Sequence, residues 1–230
     1  MRPGAWPYSL LLALCAPGLA APAQSWPELP TPAGAQVQYI AEDMVLNGNP
    51  SRVRRLSLKG HASELSSFYR QLFKSALVEN QVRGSTVIAS RQGDYFHTVQ
   101  IVDTAFDTAQ ATLMTTLLKP EANPGSMAND TKRLLPVGSV ILSTIVSNDS
   151  GRRSLMLVAM NHVALAANHE HLVAALSERG FELLSQDAAE VGFTRGVTLY
   201  LSSTKEAATV TIADIGTHRT LVINRTKEPR

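Results

Sequence analysis

The sequence predicts an α+β protein made of two similar units, each an antiparallel sheet of about five strands with one helix packed on a face. One observation is an internal similarity, because TVQIVD at residues 98–103 is followed in the back half by TVTIAD at residues 209–214. A second is the order of patterns: each half has two strand-like segments, an amphipathic helix and then further strand-like segments. Such hairpin connectivity favours antiparallel sheets with helices on one face.

The N-terminus has the pattern of a secretory signal peptide. Arg2 is the only charge before an apolar run at residues 10–16, and small residues follow the run. The run is shorter than the roughly 20 residues that span a bilayer, so we expect cleavage after Ala20 or Ala23 and no integral membrane span. Cys15 is the only cysteine in the chain. An exported protein that is free of cysteine after cleavage suits a bacterial periplasm.

Composition divides the chain into five segments. We predict a signal peptide at 1–20, a proline-rich lead at 21–36, a first α+β repeat at 37–118, a linker at 119–136 and a second α+β repeat at 137–230. The lead and the linker are rich in proline and polar residues, which is typical of connecting segments without regular structure. We expect each repeat to close its own sheet, the alternative being one continuous sheet shared by both.

The first repeat starts with two predicted strands at 44–46 and 53–58, joined by a turn at Asn47-Gly48, a pair that tolerates positive φ. An amphipathic helix follows, and Ser63 is its expected N-cap. Its apolar stripe consists of Leu65, Phe68, Tyr69, Leu72, Phe73, Ala76 and Leu77. From this stripe we expect Phe68 and Leu72 to anchor the core. The remaining strands are expected at 86–89, 96–102 and 111–118.

The second repeat is predicted to follow the same plan with a longer helix. Strands at 140–146 and 154–160 precede a helix at 168–179, which starts at Asn168 as N-cap and is followed by Gly180. The later strands are expected at 181–184, 197–201, 208–213 and 220–223.

Three histidines near the second helix are the candidate metal ligands: His162, His169 and His171. Residues two apart on a helix point to different sides, so His169 and His171 would not chelate one ion there. Zinc sites need converging ligands, and after cleavage no cysteine is left to complete one. We therefore expect solvated histidines and no cofactor.

Other catalytic and binding patterns are weak. Gly138-Ser139-Val140 lacks the second glycine of a nucleophile elbow. Asp103 and Asp214 occupy matching places in the two repeats, where carboxylates more often close turns than act as an acid–base pair. The formal net charge is only +2, which gives no concentrated basic face for nucleic acid.

Two stretches of the first repeat carry a family resemblance. Residues 44–53, with Asn-Gly-x-Pro before a basic strand, are followed by residues 63–70, in which Ser63 leads to Phe68-Tyr69-Arg70. Together they resemble uncharacterised exported accessory proteins of Gram-negative pilus and secretion systems. The resemblance implies an envelope context, and its motifs are structural.

These observations together predict a non-enzymatic periplasmic accessory or adaptor protein that binds envelope or secretion-apparatus proteins. Duplicated α+β units offer sheet edges that can accept an extended segment of a partner. Two alternatives remain open. One is a small exported hydrolase with a His-based site, with or without a metal, and the other is a periplasmic binder of a small ligand.

Overall fold

Twelve strands form a single antiparallel sheet in the computed structural model, which describes residues 26–104, 107–118, 125–149, 151–191 and 194–227. The first six strands are β1 Gln36–Leu46, β2 Asn49–Lys59, β3 Leu77–Val82, β4 Ser85–Gln92, β5 Tyr95–Thr104 and β6 Thr108–Leu117. The next six are β7 Val140–Asp149, β8 Arg152–Asn161, β9 Glu182–Val191, β10 Thr194–Ser202, β11 Glu206–Ile215 and β12 His218–Lys227. The helices are α1 Ala62–Phe73, α2 Gly125–Lys132 and α3 Leu165–Ser177. The expected signal peptide and both of its cleavage positions lie outside the described residues.

The strand order is β3-β4-β5-β6-β2-β1-β7-β8-β12-β11-β10-β9. Our prediction of two separate five-stranded sheets, each with its own helix, is therefore wrong. The sheet is continuous because β1 pairs with β7 as well as with β2. The sequence also failed to indicate β3, whose residues LVENQV are half polar and follow α1 after one 3-10 turn at Lys74–Ala76. Each half contributes six strands. Outward from the centre, the order is β1-β2-β6-β5-β4-β3 in the first half and, correspondingly, β7-β8-β12-β11-β10-β9 in the second.

The junction between β1 and β7 is short. Met44, Val45 and Leu46 lie opposite Ser147, Val146 and Ile145. Just beyond them, Asn47 adopts a positive φ of 51°. Its backbone N–H donates to the Thr144 carbonyl at 2.8 Å, and its Oδ1 accepts from the Thr144 N–H at 2.8 Å. The Asn-Gly turn that the sequence indicated therefore also joins the two halves.

All three helices lie on the same face of the sheet. Because side chains alternate between faces, the β1–β7 register directs Val45 and Val146 to the helix side together. Two hydrophobic clusters fill the space beneath the helices. The first includes Leu56, Leu65, Tyr69, Phe73, Ile88, Val99 and Leu113, and the second includes Leu134, Leu157, Leu172, Leu176, Leu199, Val210 and Leu221. Within the described residues, no helix is long and apolar enough to cross a membrane.

The described part of the proline-rich lead, from Trp26 to Ala35, has no helix or strand but packs against the first half of the sheet. Leu29 is buried in the first core, and its carbonyl accepts from Arg54 Nη2 at 2.8 Å. The Tyr69 hydroxyl donates to the Pro30 carbonyl at 3.2 Å, and burial raises the pKa of Tyr69 to about 12. Residues 26–30 thus cover part of the sheet that α1 leaves uncovered.

The expected linker contains α2, which is short and polar on its outer side. Met127, Ala128 and Thr131 of α2 are buried against the second half. The Thr131 hydroxyl accepts from Arg225 Nη1 at 3.0 Å, while Arg225 also pairs with Glu206. Arg225 is only 4% exposed, and an unpaired charge at that depth would be costly. Thr131, one of the polar residues that indicated a loop, therefore helps to satisfy a buried guanidinium.

The apolar stripe of α1 faces the first core, as its spacing predicted, but the anchors differ. Leu65, Tyr69 and Phe73 are buried, whereas Phe68 and Leu72 are only partly buried at the margin of the cluster. Our assignment of Ser63 as N-cap is wrong, because the N-cap is His61, two residues earlier, and the Glu64 carboxylate accepts from the His61 N–H at 3.4 Å.

Truncating Leu65 to alanine should therefore destabilise the protein more than truncating Leu72. Leu65 is fully buried, so Leu65→Ala should cost about 2–5 kcal/mol of the free energy of unfolding. Denaturant unfolding measures this loss. Leu184, which is 66% exposed, provides the control, because Leu184→Ala should change the value by under about 0.5 kcal/mol. Equal losses for Leu65→Ala and Leu72→Ala would contradict the packing described.

The Asn47 side chain should contribute to the junction. In Asn47→Gly the backbone keeps its positive φ but the Thr144 N–H loses its acceptor, so we expect a loss of about 1 kcal/mol in the free energy of unfolding. Asn47→Asp keeps an acceptor oxygen and should retain most of the stability. Thermal and denaturant unfolding of both variants measure the two losses of stability. Equal losses for Asn47→Gly and Asn47→Asp would show that the hydrogen bond from the Thr144 N–H to the side chain is unimportant.

Candidate functional site

A cleft lies between the N-terminal half of α3 and the strands β9 and β10. Its volume is about 780 Å³, within the range of roughly 300–1,000 Å³ that is usual for ligand pockets. Small or apolar residues form much of its wall: Ala164, Leu165, Ala166, Ala188, Ala189 and Val197. The polar lining residues are His169, Glu170, Gln186, Glu190, Arg195 and Arg219.

A row of polar residues crosses the sheet beneath this cleft. In the strand register Glu190 lies opposite Arg195, and Arg219 lies opposite both Asp214 and Asn161. The Asp214 carboxylate contacts Arg195 Nη2 at 3.2 Å and Arg219 Nε at 2.8 Å. One carboxylate therefore holds both arginines of the cleft, and neither guanidinium is left without a counter-charge.

The position of α3 depends on a buried pair of amides. The Asn161 side chain donates to Asn168 Oδ1 at 2.8 Å, and the Asn168 side chain donates back to Asn161 Oδ1 at 3.1 Å. Asn168 is fully buried inside the helix, which begins at Leu165. Our assignment of Asn168 as N-cap is therefore wrong, because the helix has already begun three residues earlier. The Asn168 side chain instead connects the first turns of α3 to the end of β8.

The three candidate histidines do not converge. His169 Nε2 lies 2.9 Å from Gln186 Oε1 at the cleft, and His171 Nε2 lies 3.1 Å from the Leu134 carbonyl. The His162 ring instead packs against His218, with ring centroids 4.3 Å apart. In the part of the chain that the structure describes, no three metal-ligating side chains group together.

Asp103 and Asp214 also have separate roles. Asp103 Oδ1 accepts from the Ala62 N–H at 2.6 Å and so caps the start of α1 in the first half. Asp214 holds the two arginines in the second half. Their matching places in the sequence thus do not produce a pair of carboxylates at one site.

Strand β9 is one edge of the sheet, and the cleft lies directly beside it. Residues 182–190 are exposed on both faces, including Leu184 at 66%. Among the described residues, no strand pairs with its outer edge. Its sequence ELLSQDAAEV carries Glu182, Asp187 and Glu190 but no lysine, arginine or proline. Within the described ranges, none of these carboxylates forms an ion pair.

The opposite edge, β3, is shorter and its charge is compensated. It has six residues, against ten in β9. Arg70 of α1 donates to both carboxylate oxygens of Glu79, at 2.8 and 2.6 Å. These bonds hold the pKa of the Glu79 carboxyl below its usual value. The two edges of the sheet therefore differ in length and in free charge.

His97 is buried beneath α1, far from solvent. Its Nδ1 lies 3.0 Å from the Thr115 hydroxyl, and its ring lies nearly parallel to Phe73 with centroids 6.3 Å apart. Ser90 is its cross-strand neighbour, and both Ser90 Oγ and His97 Nε2 lack hydrogen-bond partners among the described residues. Burial lowers the pKa of His97, so the ring is neutral in the folded protein at neutral pH.

Comparisons with known proteins give only distant likenesses. No family model and no curated protein matches the sequence. The T6SS immunity protein TplEi from Pseudomonas aeruginosa, solved alone and complexed with "L" peptide, is 11% identical over 87% of this chain and 84% of that chain, with a TM-score of 0.25. The CurJ dehydratase is 11% identical over 87% of this chain and 93% of that chain, with a TM-score of 0.18. Scores this low do not show a shared fold, so these proteins say nothing about what this chain binds.

The protein should lose stability in mild acid partly because of His97. Its pKa in the folded state lies below the value of about 6.5 expected in the unfolded chain. As the pH falls below about 6.5, the unfolded state therefore gains a proton that the folded state does not bind, and the free energy of unfolding falls. Urea unfolding between pH 7 and pH 5 should show a smaller decrease for His97→Gln than for the wild type. Identical slopes would show that His97 does not contribute.

Proposed function

We propose that this protein is a periplasmic, non-enzymatic adaptor that binds an extended segment of an envelope protein by strand addition to β9. The observation that carries the proposal is the uncovered ten-residue edge of β9 beside the cleft. An edge strand presents a row of backbone N–H and C=O groups, and a partner strand can satisfy them.

The geometry supports β9 over β3 as the docking edge. Strand addition gains one set of main-chain hydrogen bonds for every two residues, so the longer edge offers more of them. Peptide-binding edges also commonly lie next to pockets that receive alternate side chains. Here the cleft is lined by Gln186, Ala188 and Glu190 of β9 itself.

The cellular context rests on the sequence. The signal-like N-terminus favours export, and the resemblance to accessory proteins of pilus and secretion systems favours a partner in the envelope. Fractionation of cells should place the mature protein in the periplasmic fraction, with its N-terminus at Ala21 or Gln24.

A matched pair of proline variants tests strand addition. Backbone N–H groups of an edge strand point alternately to the neighbouring strand and to the free edge. Of Ala188→Pro and Ala189→Pro, one therefore removes a bond to β10 and the other removes only an outward donor. The variant that keeps the wild-type unfolding temperature should lose the envelope proteins that co-purify with the wild type.

Hydrogen exchange of the wild-type complex gives an independent measurement. In the free protein, alternate β9 amides should exchange rapidly, and the co-purified partner should protect them. Protection of another surface with no change in β9, or full partner retention by the tolerated proline variant, would show that β9 is not the docking edge.

A carrier of a small ligand is the second candidate, because the volume of the cleft suits a small molecule. Native mass spectrometry of the protein purified from the periplasm distinguishes the two functions. A retained molecule of defined mass, lost when Ala188→Trp fills the cleft, would favour the carrier.

A further inference from the structure

We propose that the segment added to β9 carries long cationic side chains, and that one lysine or arginine of it enters the cleft. This inference rests on the proposed strand addition and specifies its partner. The evidence is the free charge of the edge, the lining of the cleft and the contrast with β3.

The free charge of the edge is negative. Glu182, Asp187 and Glu190 of β9 are exposed, and within the described ranges none forms an ion pair, although Arg195 lies opposite Glu190 in the strand register and pairs with Asp214 instead. Opposite charges directly across a strand pair stabilise the pairing, whereas like charges destabilise it. A partner strand with lysine or arginine opposite these positions therefore pairs better than a neutral or acidic one.

The same charges argue against a second copy of this chain at the edge. Pairing β9 with β9 would bring six carboxylates to one interface without a basic residue on either strand. The β3 edge is not a suitable partner either, because its Glu79 is already paired with Arg70 and its sequence LVENQV has no basic residue. The occupant is thus a different protein with a basic extended segment.

The cleft fits the shape of a lysine or arginine side chain. Its wall offers Leu165, Ala188 and Val197 to an aliphatic stem, and Glu170 and Glu190 supply carboxylates for the charged end. Long basic side chains commonly bury their methylene stems on apolar surface while the charged end remains at a polar rim. Arg195 and Arg219 do not repel this group strongly, because Asp214 neutralises them in part at 3.2 and 2.8 Å.

Ala188 determines which partner residue reaches the cleft. It lies opposite Val197, a buried residue of the helix-side core. A partner residue across the free edge from Ala188 points to the same face, since directly opposed residues share a face. The small side chain of Ala188 leaves room for a long neighbour, so this register position should be the one that selects lysine or arginine.

A phage-displayed library of random ten-residue peptides, selected on the full chain, tests the inference. Peptides selected on the wild type should be enriched in lysine and arginine and depleted in aspartate and glutamate. The double variant Glu170→Gln/Glu190→Gln should bind the best peptide about threefold to tenfold more weakly, as expected for two partly exposed charge pairs. Glu178→Gln removes one carboxylate at the C-terminal end of the same helix, outside the cleft lining, and should leave the affinity unchanged.

Synthetic versions of the best peptide separate this inference from the proposed function. N-methylation of alternate amides in one register should abolish binding, and in the other register it should be tolerated. Norleucine in place of the key lysine keeps the stem but removes the charge, and it should weaken binding in low salt. Sensitivity to N-methylation with no basic preference would overturn only the cationic specificity. The absence of peptide binding, or binding insensitive to N-methylation, would overturn strand addition itself.

Discussion

The structure depends on one constraint: three short helices have to cover one face of a twelve-stranded sheet. At about 4.8 Å per strand the sheet is roughly 50 Å across, whereas a helix with its side chains is about 10 Å in diameter and covers roughly two strands. The lead segment around Leu29 and the polar helix α2 therefore pack where longer helices would otherwise be needed. Even so, α3 leaves residues 182–190 of β9 exposed to solvent, and the cleft lies where this coverage is incomplete.

The sequence predicted the elements in which the spacing of apolar residues follows the buried face of a strand or helix. The strands beneath the helices alternate regularly, and the stripe on α1 correctly indicated its buried face. Single-sequence patterns could not show how strands pair across long distances, so the junction of β1 with β7 was missed. They also failed for α2, because Thr131 serves Arg225 almost a hundred residues away and appears only as polarity in the sequence.

The candidate site was harder to predict, because it lies on an exposed edge and its residues are far apart in the sequence. An edge strand exposed on both faces needs no alternation, so residues 185–190 had no strand signal and only 181–184 were identified. His169 was a candidate and does line the cleft, but its neighbours there, Arg195 and Arg219, come from strands that the fold brings together. The acidic residues of β9 were visible in the sequence. They indicate a docking surface only when β9 is known to be the edge of the sheet.

The separation of the two halves along the chain has a consequence for the order in which the protein folds. Each half is contiguous in sequence, so the first core can assemble before the second. The hydrogen bonds between Asn47 and Thr144, which are 97 positions apart, then form only when the second half is present. During that interval the central end of β1 is itself a free edge, with Met44, Val45 and Leu46 unpaired on one side. The half-folded protein thus exposes an apolar pairing surface that the folded protein covers, and a chaperone that binds extended apolar strands would bind there.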